Sequence, residues 1–297
     1  MKILRFIILI IVSFLFVSAT AQTRRALVIG IGEQEDKSWA KINGDKDVPY
    51  VQKMLRGAEY KDISTLVNKQ ATKAGIVTQF KNLTARCKAG DIVYIHFSGH
   101  GQQVTDVNGD ESDDKMDESW IPYDAYLKYG RRDRGEKHLI DDEINVLLTA
   151  IKHKIGDSGK MLVVVDACHS GNSTWGITSF SFKDDIGKTP VLLLNTDADE
   201  TIRGVYDEFV IPITKKTRTK KAPEQWLTLS ACEDFQLNQE MKTPQVGKLT
   251  YTLYTLSKEG NISFQKIEKM MERYRSRLPQ NPIQTGRTNY KISDFLR

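Results

Sequence analysis

Residues Lys160-Met-Leu-Val-Val-Val165 form the most apolar short run of the chain, and they narrow the fold more than any other feature. Apolar on consecutive positions and rich in Val, the run predicts a strand covered on both faces. Three more stretches read as strands: Arg25 to Gly32, Ile63 to Val67 and Asp91 to Ser98. Between them lie helical patterns at Asp47 to Arg56, with Val48, Val51 and Leu55 near helical spacing, and at Thr72 to Ala89, closed by Gly90. Another helix is expected over Asp141 to Lys154, with Ile144, Leu147, Leu148 and Ile151 on one stripe and Asp141 and Asp142 at its N-terminal end. Alternating strands and helices predict an α/β fold with a largely parallel central sheet and helices on both faces. Ligands in such sheets sit beyond the carboxyl ends of the strands, so the residues after Ser98 and after Val165 are where chemistry is expected.

The first 21 residues read as an export signal. Lys2 and Arg5 precede an apolar run from Phe6 to Val17, and Ala19-Thr20-Ala21 supplies the small residues of a cleavage site before Gln22. The run is too short to span a bilayer, which needs about 20 apolar residues, so an exported, periplasmic or secreted protein without a stable membrane span is expected. Losing Lys2 and Arg5 takes the formal charge from +5 to +3. Such a balance gives no argument for nucleic acid as a partner. There are three cysteines, Cys87, Cys168 and Cys232. An odd number in an exported chain points to a free thiol rather than a disulfide framework. Cys87, on a helix, and Cys232, at a strand end, read as buried small hydrophobes.

Downstream, Val191 to Leu194 is strand-like, and Lys215-Lys-Thr-Arg-Thr-Lys-Lys221 reads as a solvated linker. A strand at Trp226 to Ala231 follows, then helices around Leu249 to Ser257 and Ser263 to Leu278. The segmentation is therefore a signal at 1–21 and one domain at 22–297. Within that domain are a large region at about 22–210, a linker at about 212–224 and a small region at about 225–297.

Two strand ends carry the candidate chemistry: Ser98-Gly-His100-Gly101 and Asp166-Ala-Cys168-His-Ser-Gly171. A thiol has an ordinary pKa near 8.5, so a nucleophilic cysteine needs a partner, and histidine is the usual one. The N–H groups of Gly101 and Cys168 are placed to stabilise an oxyanion. His96, inside its strand, reads as a structural histidine, and His169 points away from the nucleophile's side.

His-Phe-Ser-Gly-His100-Gly and Asp-Ala-Cys168-His-Ser-Gly together resemble the metacaspase branch of the caspase-like peptidases. RALVIGIG, DESDDKMDESWIPYD, IDDEIN, LSACEDFQ and QNPIQTG follow in that family's order. The resemblance implies a caspase-hemoglobinase fold, a His100–Cys168 dyad, a thioester intermediate, and protein or peptide substrates cut after Arg or Lys. It implies a primary pocket built from Asp47, Ser98 and Asp166, where carboxylates suit a guanidinium. The bland roles for Asp47 and Asp166 are a helix N-terminal carboxylate and a turn cap. The resemblance also implies a calcium site of Asp117, Asp141 and Asp142. The family usually adds a carboxylate shortly after the nucleophile, where this chain has Thr174 and Trp175. An EF-hand in the acidic block is not expected, because the glycine that such a loop needs is Glu111 and no flanking helices are evident. Self-cutting in the basic linker is a further expectation. Two rival readings are a caspase-like interaction module without activity and a transpeptidase using the same dyad.

Overall fold

The structure is a computed structural model and describes residues 22–107, 116–167, 201–203, 209–212, 224–233, 236–274 and 278–297. Cys168, the acidic stretch 108–115, the Val191 to Leu194 run, the basic linker and the N-terminal 21 residues lie outside the described residues.

The central sheet has six strands. They are β1 (Arg24–Gly30), β2 (Asp62–Val67), β3 (Ile92–Ser98), β7 (Lys160–Asp166), β9 (Leu227–Ser230) and β12 (Ile283–Gly286), in the order β12-β9-β7-β3-β1-β2. Five are parallel, and only β12 runs antiparallel, against β9. Because β9 pairs with β7, the sheet continues across the linker region.

Side chains alternate between two cores, as a period of two requires. Leu162 and Val164 face one core with Val48, Val51 and Leu55 of α1 (Gly44–Gly57), Leu249 and Leu253 of α4 (Lys248–Glu259), and Ile267 and Met271 of α5 (Phe264–Arg273). Met161, Val163 and Val165 face the other, with Ile76, Phe80 and Leu83 of α2 (Lys73–Arg86) and Ile144, Leu148 and Ile151 of α3 (Asp141–Ile155). Helices thus cover both faces, as expected from the sequence.

Two helix ends differ from the sequence expectation. Helix α2 stops at Arg86, because Cys87 turns to extended backbone at φ −64° and ψ 145°. Gly90, at φ +86°, instead shapes the turn that leads into β3. Helix α5 stops at Arg273, followed by extended Tyr274, rather than running to Leu278. Two small sheets were not expected: β4 (Gly101–Thr105), β5 (Met116–Trp120) and β6 (Leu139–Ile140), and β8 (Thr201–Arg203), β10 (Asn238–Met241) and β11 (Val246–Gly247). Among the described residues no helix is long and apolar enough to cross a membrane.

Strand β4 is held by a buried polar chain. His138 Nε2 contacts Gln102 Oε1 at 3.1 Å, and His138 Nδ1 lies 3.3 Å from Asp133 Oδ2. Asp133 also accepts N–H bonds from Tyr126 and Gly135 at 2.9 Å. Burial alone would raise the Asp133 carboxyl, but these bonds and the His138 charge outweigh it and bring it down to about 2. A carboxyl lowered from 3.8 in this way stabilises the fold above about pH 4, and the contribution is lost as pH falls toward 2. Asp133→Asn should therefore lower the urea midpoint at pH 7, with the gap to wild type closing between pH 4 and 2. A gap that does not change with pH would mean the carboxylate charge is not what stabilises.

Candidate active site

Register fixes the centre of the site. Ser98 on β3 pairs with Asp166 on β7, and the Gly99 N–H donates to Asp166 O at 3.4 Å. His100 therefore follows a paired residue by two positions, at the carboxyl edge where ligands bind in parallel sheets, and in the sequence Cys168 follows Asp166 by the same count.

His100 is fully buried. Its ring stacks on Trp39, with centroids 5.1 Å apart and planes 27° apart. Nε2 lies 2.8 Å from the Ala40 carbonyl oxygen. A carbonyl only accepts, so Nε2 carries the proton, and in the neutral ring the lone pair belongs to Nδ1. The loop that supplies Ala40 is anchored by Trp39 Nε1 to Ala125 O at 3.1 Å and by Ile42 N to Gly32 O at 2.9 Å. Gly101, the expected oxyanion donor, begins β4 directly after His100, and Ile121 N donates to His100 O at 3.1 Å.

Asp47 and Asp166 converge from α1 and β7 on the start of α4. Both are fully buried. The residue before α4 is Gly247, which has no side chain with which to cap the helix. Asp166 supplies the cap: Oδ2 accepts from Thr250 N at 2.9 Å and from Thr250 Oγ1 at 2.6 Å, and Oδ1 accepts from Asn238 Nδ2 at 2.7 Å. Asp47 Oδ1 accepts from Gly247 N at 2.8 Å, and Ser98 Oγ donates to Asp47 Oδ2. Two carboxylates at a helix N-terminus complement its exposed N–H groups and its dipole. Any Cβ at position 247 would run into the Asp166 carboxylate, so the close approach demands glycine. The structure therefore brings Asp47, Ser98 and Asp166 together, but the helix they cap is α4 rather than Asp47's own.

Behind them runs a chain of hydrogen bonds from Tyr94 through His96 to Thr250. Tyr94 Oη meets His96 Nδ1 at 3.1 Å, and His96 Nε2 meets Thr250 Oγ1 at 3.2 Å. The Thr250 hydroxyl gives its proton to Asp166, which only accepts, so His96 Nε2 carries the ring proton and Nδ1 accepts from the Tyr94 hydroxyl, which burial keeps protonated. His96 then donates to Thr250, whose hydroxyl donates to Asp166. His96 is the structural histidine expected from its place in the strand.

The calcium set is arranged differently. Asp117 lies on β5, and Asp141 and Asp142 begin α3, with Asp141 Oδ1 accepting from Asp142 N at 3.0 Å. Pairing of Ser119 with Ile140 brings β5 and the start of α3 to the same edge. Even so, among the described residues no three acidic, histidine or cysteine side chains are grouped to hold a metal ion. Cys87 and Cys232 are both buried. Burial, then the nearby Asp91 charge, pushes the Cys87 thiol up to about 11, which disqualifies it as a nucleophile at neutral pH.

A model of the metacaspase, peptidase C14 domain matches residues 24–174, half of the chain. The chain belongs to the metacaspase family. Metacaspase III c of Phaeodactylum tricornutum is 30% identical over 160 residues, which are 52% of this chain and 44% of that protein. Metacaspase-2 of Arabidopsis thaliana is 31% identical over 158 residues, 50% of this chain and 34% of that protein. The matched part thus spans less than half the length of these metacaspase relatives. Caspase-1 from Spodoptera frugiperda superposes with a TM-score of 0.53 at 11% identity, covering 89% of this chain and 86% of that one. A Geobacter sulfurreducens protein of known crystal structure superposes at 0.57 with 24% identity, covering 93% of this chain and 97% of that one. The metacaspase chain therefore has the caspase-like fold.

Two residues that contact the candidate site, Ala40 and Thr250, carry little signal in the sequence. A backbone carbonyl such as that of Ala40 has no side-chain signature. For Thr250 the signal is indirect: a helix preceded by glycine must take its cap from elsewhere. Thr250→Val, which keeps the shape and removes the hydroxyl, should cost roughly 1.5–3 kcal/mol, the range for a hydrogen bond to a charged group. Thr250→Ser should stay near wild type. Urea unfolding of both decides it; equal midpoints for Val and Ser would show the hydroxyl to be idle.

Proposed function

We propose that this chain is a cysteine endopeptidase that cuts after Arg or Lys, with Cys168 as nucleophile and His100 as its general acid and base. The observation that carries the reading is the bond from His100 Nε2 to the Ala40 carbonyl, which fixes the tautomer and orients the ring. Nδ1 is then the nitrogen that takes the thiol proton. The thiolate attacks the scissile carbonyl carbon, and the oxyanion is held by the N–H groups of Gly101 and Cys168. His100 returns the proton to the leaving amine as the C–N bond breaks, which leaves a thioester. Water then gives its proton to His100 and attacks the thioester, releasing the acid and the thiolate.

Two buried carboxylates support the choice of a basic residue before the cut: Asp47, on α1, and Asp166, the last residue of β7, meet at Gly247. Export at the Ala21–Gln22 bond is part of the proposal. It is compatible with the fold, since Gln22 Nε2 already donates to Gly90 O at 2.8 Å and Thr23 N to Asp91 Oδ1 at 3.2 Å.

The test is a panel of fluorogenic peptides ending in Arg, Lys, Asp or Asn. Wild type should cleave the Arg and Lys peptides, Cys168→Ala should be inactive, and His100→Ala should be slowed by about a hundred-fold or more. Preference for Asp peptides, or full activity in Cys168→Ala, would overturn the reading. Because Asp166 also caps α4, Asp166→Asn is read by the ratio of Arg to neutral substrate rather than by rate alone. The same panel in chelator and in millimolar calcium tests activation by calcium, and identical rates would remove it from the proposal. Self-cutting in the linker is tested by a gel of wild type beside Cys168→Ala, with N-terminal sequencing. Fragments should appear in wild type only, and fragments in both would assign the cut to another protease.

A further inference from the structure

Asn43 stands immediately before α1, in the position where an Asn side chain ordinarily accepts from the helix's own first N–H groups. It makes no such cap. Its backbone N donates to Glu240 Oε1 at 2.7 Å, and its Nδ2 donates to Glu240 Oε2 at 2.6 Å. Glu240, on β10, is fully buried. A carboxylate gripped by two such donors is a charge-assisted contact with a demanding geometry. The helix gives up its local cap to make it.

What the contact holds is the end of the loop that serves His100. Ala40, whose carbonyl accepts the His100 proton, lies between Trp39, pinned to Ala125, and Asn43, pinned to Glu240. Helix α1, which carries Asp47, begins at the next residue. We propose that Asn43 and Glu240 form a positioning clamp through which the C-terminal part of the chain sets the Ala40 carbonyl, and with it the orientation of His100. The proposal rests on the peptidase reading above and assigns Glu240 a role outside the chemistry itself. Asn43 precedes the basic linker in the chain and Glu240 follows it. The setting of His100 therefore depends on the C-terminal part staying docked, whether or not the linker is cut.

The test exchanges donor and acceptor. Asn43→Asp sets two carboxylates against each other at a separation where both cannot stay ionised. Glu240→Gln is mild, because the Asn43 amide can turn round to accept from the new amide. The double variant Asn43→Asp with Glu240→Gln restores the match, since the new amide donates to the new carboxylate. Two measurements are made: kcat and KM on an Arg peptide, and amide hydrogen exchange across residues 33–47. Asn43→Asp should lower kcat by about ten-fold or more, since small misplacements of a catalytic group are costly. KM should change by less than about three-fold, and exchange across 33–43 should quicken. The double variant should recover both. Asn43→Ala, which loses only the side-chain bond, should show the same direction and serves if Asn43→Asp does not fold. A double variant no better than Asn43→Asp, or wild-type kcat and exchange in both Asn43→Asp and Asn43→Ala, would overturn the clamp. A wild type that cleaves no peptide would sink the peptidase reading alone. The exchange data would still decide the clamp, supporting it by loosening and rescue and overturning it by their absence.

Discussion

The structure turns on the Asp166 carboxylate at the start of α4. A helix that begins after glycine has no cap of its own, and Asp166 reaches from the end of β7 to supply one. One side chain thereby ties the last buried residue of the central strand to the helix that closes that face, two positions before Cys168. Asp47 repeats the arrangement from α1 through the Gly247 N–H. Thr250 stands where the two meet, with His96 and Tyr94 behind it. Charges this deep persist only when they are saturated with donors. The neighbourhood is accordingly built of small donors: Ser98, Thr250, Asn238 and two backbone N–H groups. Stability of the helix start and negative charge at the site are therefore the same physical object.

Around that fixed centre, the histidine side is held by a different kind of contact. His100 is oriented by a carbonyl and a stacked indole from a loop that carries no regular structure of its own. The loop is closed on itself by the Ile42–Gly32 bond and set by anchors to Ala125 and Glu240, which come from two distant parts of the chain. The candidate site thus joins rigid strand ends to a loop whose position is borrowed from its surroundings.

Much of this was legible in the residues. The apolar runs at β1, β3 and β7 declare buried strands because both faces are covered, and the stripes of α1 and α3 follow helical spacing. His100 and Cys168 stand out because each ends such a strand among glycines and small residues. The sequence was silent where contacts are long-range and short. Strands β10 and β11 have four and two residues, too few for a periodic pattern. The Asn43–Glu240 pair spans most of the chain, and Asn before a helix reads locally as an ordinary cap. Helix α2 stops at Arg86 because Cys87, though apolar enough to continue the pattern, adopts extended backbone.

The pairing of Ser98 with Asp166 has a consequence for how such a chain can vary in length. One residue inserted in β3 or β7 would shift its end by about 3.3 Å and turn every later side chain to the opposite face. The Ser98–Asp166 pairing, which sets the positions of the two candidate segments, would then be lost. The stretch between the two strands, which holds β4, β5, β6 and α3, is under no such rule, because both of its ends are pinned by the ladder. Relatives can therefore lengthen or shorten that stretch, while the two strands themselves tolerate change only by substitution.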